Sequence, residues 1–187
     1  MLLLRERGKV RFSIAGPMTI AHTQSHNEGV EWLVVKFKLG MYMPLLPTRK
    51  LVDSSTVLPE ASRKSFWLDS ETWQIPDFNN VETFVEWLAH DDLLIRDSIV
   101  NAALQDQPLN IPERTLRHRF QQVTGLTQSH IRQIERAQYA MTLLEQGVSI
   151  LDTVVIADYA DQPHLTRSLK RFMGQTPAQI TPNKAVA

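Results

Sequence analysis

Two clusters of basic, amide and hydroxyl side chains stand out in the C-terminal half. Arg114, Thr115, Arg117, His118 and Arg119 form the first, and Gln162, His164, Thr166, Arg167, Lys170 and Arg171 the second. Side chains of these types neutralise phosphates and read base edges in double-stranded DNA. That work is binding, with no covalent step. The sequence shows no nucleophile elbow, phosphate-binding loop or dinucleotide fingerprint. It has no cysteine, which excludes thiolate metal sites, disulfides and cysteine nucleophiles. His22, His26, Glu28 and Glu31 fit no ligand spacing and are assigned to a polar loop. No enzymatic activity, cofactor or metal is expected.

Both clusters sit on the same pattern. Leu116, Phe120, Val123 and Gly125 recur 49 residues later as Leu165, Leu169, Phe172 and Gly174. Thr127 and Ile131 continue the register as Thr176 and Ile180. In each copy the apolar residues make the buried stripe of a short helix, which the glycine ends with a left-handed cap. The charged residues take the other faces. A shorter apolar helix precedes each, at 98–104 and 150–157. Short helix, turn and basic helix is a DNA-reading arrangement.

Between the copies, Ile131, Ile134, Ala137, Met141 and Leu144 step by three or four, which predicts one amphipathic helix over 128–146. Thr127 is placed to cap it and Gly147 to end it. About 19 residues span roughly 28 Å, against roughly 34 Å between major-groove entries on one DNA face. Ser149, with Asp152 three residues on, opens the next helix.

The elements upstream have a different period. Val10, Phe12 and Ile14 alternate with Lys9, Arg11 and Ser13, and Leu33, Val35, Phe37 and Leu39 alternate again. Period two predicts half-buried strands. Loop and short extended pieces follow, with Pro44, Pro47 and Pro59, too little chain for a complete jelly roll. From Val81 the period becomes helical, with Asn79 and Glu82 as a capping box, and everything beyond reads as helix. The fold class is therefore α+β: a short, incomplete β-rich segment, then an all-α part.

The 187 residues carry 20 basic and 20 acidic side chains, which excludes a polyanion binder of the histone kind. Residues 109–174 hold eight Lys and Arg against six acids, and residues 1–108 eleven against fourteen. Specific contacts rather than bulk charge must carry affinity. No apolar run nears the roughly 20 residues of a membrane span. Leu2-Leu3-Leu4 is too short for a signal segment, so a cytoplasmic location and no membrane partner are expected.

Asp158 to Pro177 resembles the signature of the AraC-type transcription regulators across their second helix-turn-helix unit. Arg114 to Phe120 followed by Val123-Thr124-Gly125 resembles the first recognition helix, and Glu135-Arg136-Ala137 with Leu143-Leu144 the linker helix. The resemblance covers about 97–182. It implies sequence-specific DNA binding by two recognition helices in successive major grooves, contact with RNA polymerase, and transcription regulation, usually activation. It also implies a cupin-like N-terminal region that senses a small-molecule effector or forms a homodimer. The organisation expected is a β-rich segment at 1–78, a connecting helix at 79–96, the double helix-turn-helix domain at 97–182 and a tail at 183–187.

Three positions depart from the family. Asp158 stands where the family usually has a turn glycine, in a backbone region where Asp is tolerated at a cost. Pro112 replaces the serine that opens the first recognition helix, so Asn110 or Ile111 marks the start. His118 replaces a frequent arginine and loses its bidentate fork to guanine. Two other functions stay open: a degenerate helix-turn-helix protein acting as a protein–protein interaction module, and a cupin-like small-molecule binder or enzyme.

Overall fold

The computed structural model describes residues 1–6, 9–23 and 28–181. The chain forms two compact units, Met1–Pro17 with Ser25–Thr127, and Met18–Gln24 with Gln128–Ala187. The α+β class holds, with a β-rich N-terminal region and a helical C-terminal one.

In the first unit, β1 (Leu2–Glu6), β2 (Lys9–Ala15), β3 (Glu31–Val34) and β5 (Ser55–Val57) form an antiparallel sheet in the order β3-β1-β2-β5. The alternation of Lys9 to Ala15 is realised as β2 over the same residues. The second alternating run is shorter than its sequence pattern. The β1–β3 ladder closes with the Val35 N–H on the Met1 carbonyl; beyond it Val35 and Phe37 pack on the core as half-buried residues, and Leu39 is exposed. A second sheet, β6 (Glu60–Ser62), β7 (Ser65–Leu68) and β8 (Glu71–Gln74), occupies a stretch that reads as loop from composition.

Phe12, Phe66, Trp73 and Phe84 meet in the core of this unit. Phe12 and Phe66 lie 4.5 Å apart, and Phe84 sets its edge against Phe12, Phe66 and Trp73 at 6.0–6.2 Å. Phe84 and Leu88 come from α1 (Val81–His90), so the stretch 70–80 runs from β8 into a helix that shares the sheets' core. The Asn79–Glu82 capping box does not form. Instead the Asp77 carboxylate accepts the Asn79 and Asn80 N–H groups, and the Asn80 amide oxygen accepts the Asp77 N–H. Beyond α1 the chain is not all helix: β9 (Ile95–Arg96) pairs with β4 (Met41–Tyr42).

Strand β9 leads into α2 (Ser98–Leu104), and a turn leads to α3 (Glu113–Thr124). Helix α3 buries Phe120, Val123 and Thr124 and packs on α2, β4 and the short 3-10 helix Thr48–Leu51. Thr124 Oγ1 donates to the Phe120 carbonyl at 2.8 Å and accepts the Leu126 N–H at 3.2 Å.

The second unit holds α4 (Gln128–Glu145), α5 (Ile150–Ile156), α6 (Gln162–Met173) and α7 (Pro177–Ile180). Ala137, Ala140 and Leu144 of α4 close on Leu165 and Leu169 of α6, all fully buried. Alanines at the crossing let the two helices approach closely. Ser149 caps α5 by accepting the Asp152 N–H at 3.1 Å, the arrangement its spacing predicts. Residue 182 and the tail 183–187 lie outside the described residues.

Candidate nucleic-acid interface

Helices α3 and α6 are built alike. Each has 12 residues, they begin 49 residues apart, and each ends on a glycine at φ 75°, Gly125 and Gly174. That backbone region costs any residue with a Cβ. The short helices before them also end alike. After α2 the Asp106 N–H bonds the Ala103 carbonyl and the Gln107 N–H the Ala102 carbonyl. After α5 the Asp158 N–H bonds the Val155 carbonyl and the Tyr159 N–H the Val154 carbonyl. Both are Schellman caps with a left-handed aspartate, Asp106 at φ 51° and Asp158 at φ 56°.

The copies differ in their turns. From Gln105 to Pro112 the first has eight residues, and from Ala157 to Asp161 the second has five. Asp161 caps α6 by accepting the His164 N–H at 2.6 Å. The N-cap position of α3 is Pro112, which makes no side-chain cap bond, so the helix starts at Glu113 and not at Asn110 or Ile111. The longer first turn is accordingly held from elsewhere. Asp97, with a side chain only 3% exposed, caps α2 through the Val100 N–H and takes Arg119 Nε of α3 at 2.8 Å.

On α3, Arg114, Thr115, Arg117 and His118 are exposed. Arg117 lies 3.6 Å from Glu113 in a fully solvated i,i+4 pair worth little. Arg119 is different, because its guanidinium is committed to Asp97. On α6, Gln162, Arg167, Lys170 and Arg171 are exposed while His164 and Thr166 are half-buried. Thr166 Oγ1 donates back to the Gln162 carbonyl at 2.9 Å. Arg114, His118, Arg167 and Lys170 make no side-chain hydrogen bond or ion pair among the described residues. Arg171 lies with its guanidinium carbon 5.1 Å from the Phe172 ring, and its carbonyl accepts the Ala21 N–H at 2.8 Å. Ala21 thus satisfies a last-turn carbonyl of α6 that the helix leaves open.

Sequence patterning gave no notice of three groups around these helices. Asp97 sits where an N-cap belongs, and only the fold reveals that Arg119 shares it. Arg136 and Tyr159, on α4 and in the α5–α6 turn, contact each other, and the Tyr159 hydroxyl bonds Ser168 of α6. The N-terminal polar cluster is divided: Glu31 pairs with Arg5 at 3.1 Å, His22 and Glu28 are exposed, and His26 lies outside the described residues.

The structure bears on the Asp158 departure directly. Its φ of 56° is the conformation that favours glycine, and its side chain makes no hydrogen bond among the described residues. Asp158→Gly is expected to stabilise the second unit on the order of 1 kcal/mol. Thermal unfolding followed by far-ultraviolet circular dichroism checks this, and an unchanged or lower midpoint contradicts it.

Residues 107–182 match the family model of a helix-turn-helix domain. The matched segment, under half of the chain, is similar to helix-turn-helix domains of the AraC type, a DNA-binding and transcription-regulating kind. Comparison with curated proteins and with solved structures gives no match. No helix among the described residues is long and apolar enough to cross a membrane.

Proposed function

We propose that the chain is a sequence-specific regulator of transcription that sets α3 and α6 into successive major grooves of double-stranded DNA. The observation that carries this is the duplication: two helices of equal length and cap, each preceded by a Schellman-capped short helix, each with unpaired basic side chains outward. An ordinary helical bundle has no need of such a repeat. The helix-turn-helix match over 107–182 supports the same reading.

Roles divide by what each side chain has free. Arg167 reads a guanine edge bidentately, with Gln162, His164 and Thr166 beside it. Lys170 and Arg171 hold phosphates. On α3, Arg114, Arg117 and His118 face the bases and Thr115 a phosphate, while Arg119 holds α3 on the α2 cap and contributes to DNA only through that position. RNA polymerase is the protein partner that the family resemblance implies, usually for activation. The β-rich unit would serve as a reduced cupin-like sensor or homodimer surface. It contains an open cavity of about 1110 Å³ bordered by Val10, Phe12, Leu58, Phe66, Ile75 and Arg63, room for a small-molecule effector. The setting is cytoplasmic.

A handful of phosphate contacts predicts binding that falls steeply with salt, by roughly a hundredfold or more between low and physiological ionic strength. The measurement is a duplex titration of the whole chain across salt concentrations. The whole chain is needed because α3 buries Phe120 and Val123 in the first unit. A folded chain that binds no duplex at low salt contradicts the proposal and favours the protein–protein module.

A further inference from the structure

We propose that Arg136 of α4 and Tyr159 of the α5–α6 turn are positioning residues that set the pitch of α6, and so decide which base edge Arg167 meets. This rests on the DNA-binding reading above and adds residues outside the two basic clusters. The Arg136 guanidinium donates from Nη1 to the Asp158 carbonyl at 3.1 Å, and its central carbon stands 4.5 Å from the centroid of the Tyr159 ring. Tyr159 is 6% exposed. From there the contacts pass to α6 at two points one turn apart. The Tyr159 hydroxyl bonds Ser168 Oγ at 2.9 Å, and the His164 ring stands edge-on to Tyr159 at 5.1 Å and 84°.

One side chain of the long helix therefore holds both the carbonyl of the strained turn residue and the ring on which α6 rests. Arg136 Nε is buried with no hydrogen-bond partner among the described residues. A guanidinium placed there for packing alone would carry an unsatisfied donor for no return, whereas a long apolar side chain would fill the space without that cost. The planar fork explains the choice: it bonds a carbonyl in its plane and stacks on an aromatic ring with its face, which a lysine cannot do together. Base readout needs its side chains held within a fraction of an ångström, and supporting residues of this kind provide that. Ser168 and His164 flank Arg167, so a tilt of α6 about Tyr159 displaces the Arg167 guanidinium directly.

The test uses the whole chain, a duplex enriched from random sequence by the parent, and a scrambled duplex of equal length. Arg136→Gln, Arg136→Lys and Tyr159→Phe are titrated on both across salt. Arg136→Gln and Arg136→Lys are each expected to reduce the ratio of specific to scrambled affinity about tenfold, with the salt slope and scrambled affinity unchanged. Tyr159→Phe keeps the ring and the fold, loses only the Ser168 bond, and is expected to reduce the ratio several-fold. An unchanged ratio in all three, rescue by lysine, or a salt slope lower by about one in Arg136→Gln overturns the proposal; the last means that Arg136 holds a phosphate. A parent that binds no duplex ends the DNA-binding reading and the clamp with it. A parent that discriminates beside variants that discriminate equally ends the clamp alone.

Discussion

Arg167→Ala is expected to weaken binding to the selected duplex by about 1–3 kcal/mol and to relax selectivity at one or two base pairs. Arg167 lies on the face of α6 away from Leu165 and Leu169, is exposed, and has no partner of its own to satisfy. Nothing in the fold is lost with it, so the effect falls on recognition. Lys170→Ala should weaken all duplexes alike and lower the salt slope by about one. His118 occupies the matching position of α3, 49 residues earlier, and is also exposed. His118→Arg is expected to tighten binding and add a guanine preference in the first half-site. Binding-site selection on the three variants beside the parent is the check. If Arg167→Ala lowers affinity and leaves the selected sequence unchanged, Arg167 is a phosphate clamp and base readout lies elsewhere.

Gly16→Ala is expected to destabilise the first unit by about 3 kcal/mol, the upper end of what overpacking costs. A Cβ at Gly16 would run into the Leu51 carbonyl oxygen, a backbone atom that cannot turn aside. The Gly16 N–H also bonds the Ser54 carbonyl at 3.0 Å, which keeps the end of β2 against this segment. The strain would land on the 3-10 helix Thr48–Leu51, on which α3 packs. All four tryptophans, Trp32, Trp67, Trp73 and Trp87, lie in the first unit, so tryptophan fluorescence reports its unfolding alone. The expected fall in midpoint is roughly 10–15 °C. A fall of less than about 2 °C would show that the contact between β2 and the 3-10 helix yields easily.

The helical half was legible because its signals are local. A stripe of period 3.6 closed by a glycine places the C-terminal ends of α3 and α6 to the residue, and Ser149 with Asp152 places the start of α5. Strand β2 was legible for the same reason, since its alternation is contained in seven consecutive residues. What escaped depends on partners far along the chain. Strand β3 stops at Val34 because its ladder closes there, which no property of Val35 to Leu39 announces. Strand β9 is two residues long and exists only because β4 lies beside it. Asn79 has the spacing of a cap, but α1 begins after Asn80 and the Asp77 carboxylate takes the Asn79 N–H in the turn before it.

The interface followed the same division. That Arg114 and Arg167 face outward is given by the stripe of apolar residues. That Arg119 is bound to Asp97, 22 positions earlier, is given only by the fold. The Asp158 backbone was foreseen at a positive φ from the family's glycine, yet its pairing with Arg136 required the crossing of α4 over the turn.

The central claim is that two helices of this chain read DNA together, and the most direct test is a contact footprint. The whole chain would be bound to the duplex it selects from random sequence, and protected phosphates and major-groove guanines mapped on both strands. Two protected blocks on one face of the duplex, about one helical turn apart, are predicted, with Arg167→Ala erasing guanine protection in one block only. A single protected block, or protection that does not depend on sequence, would contradict the account.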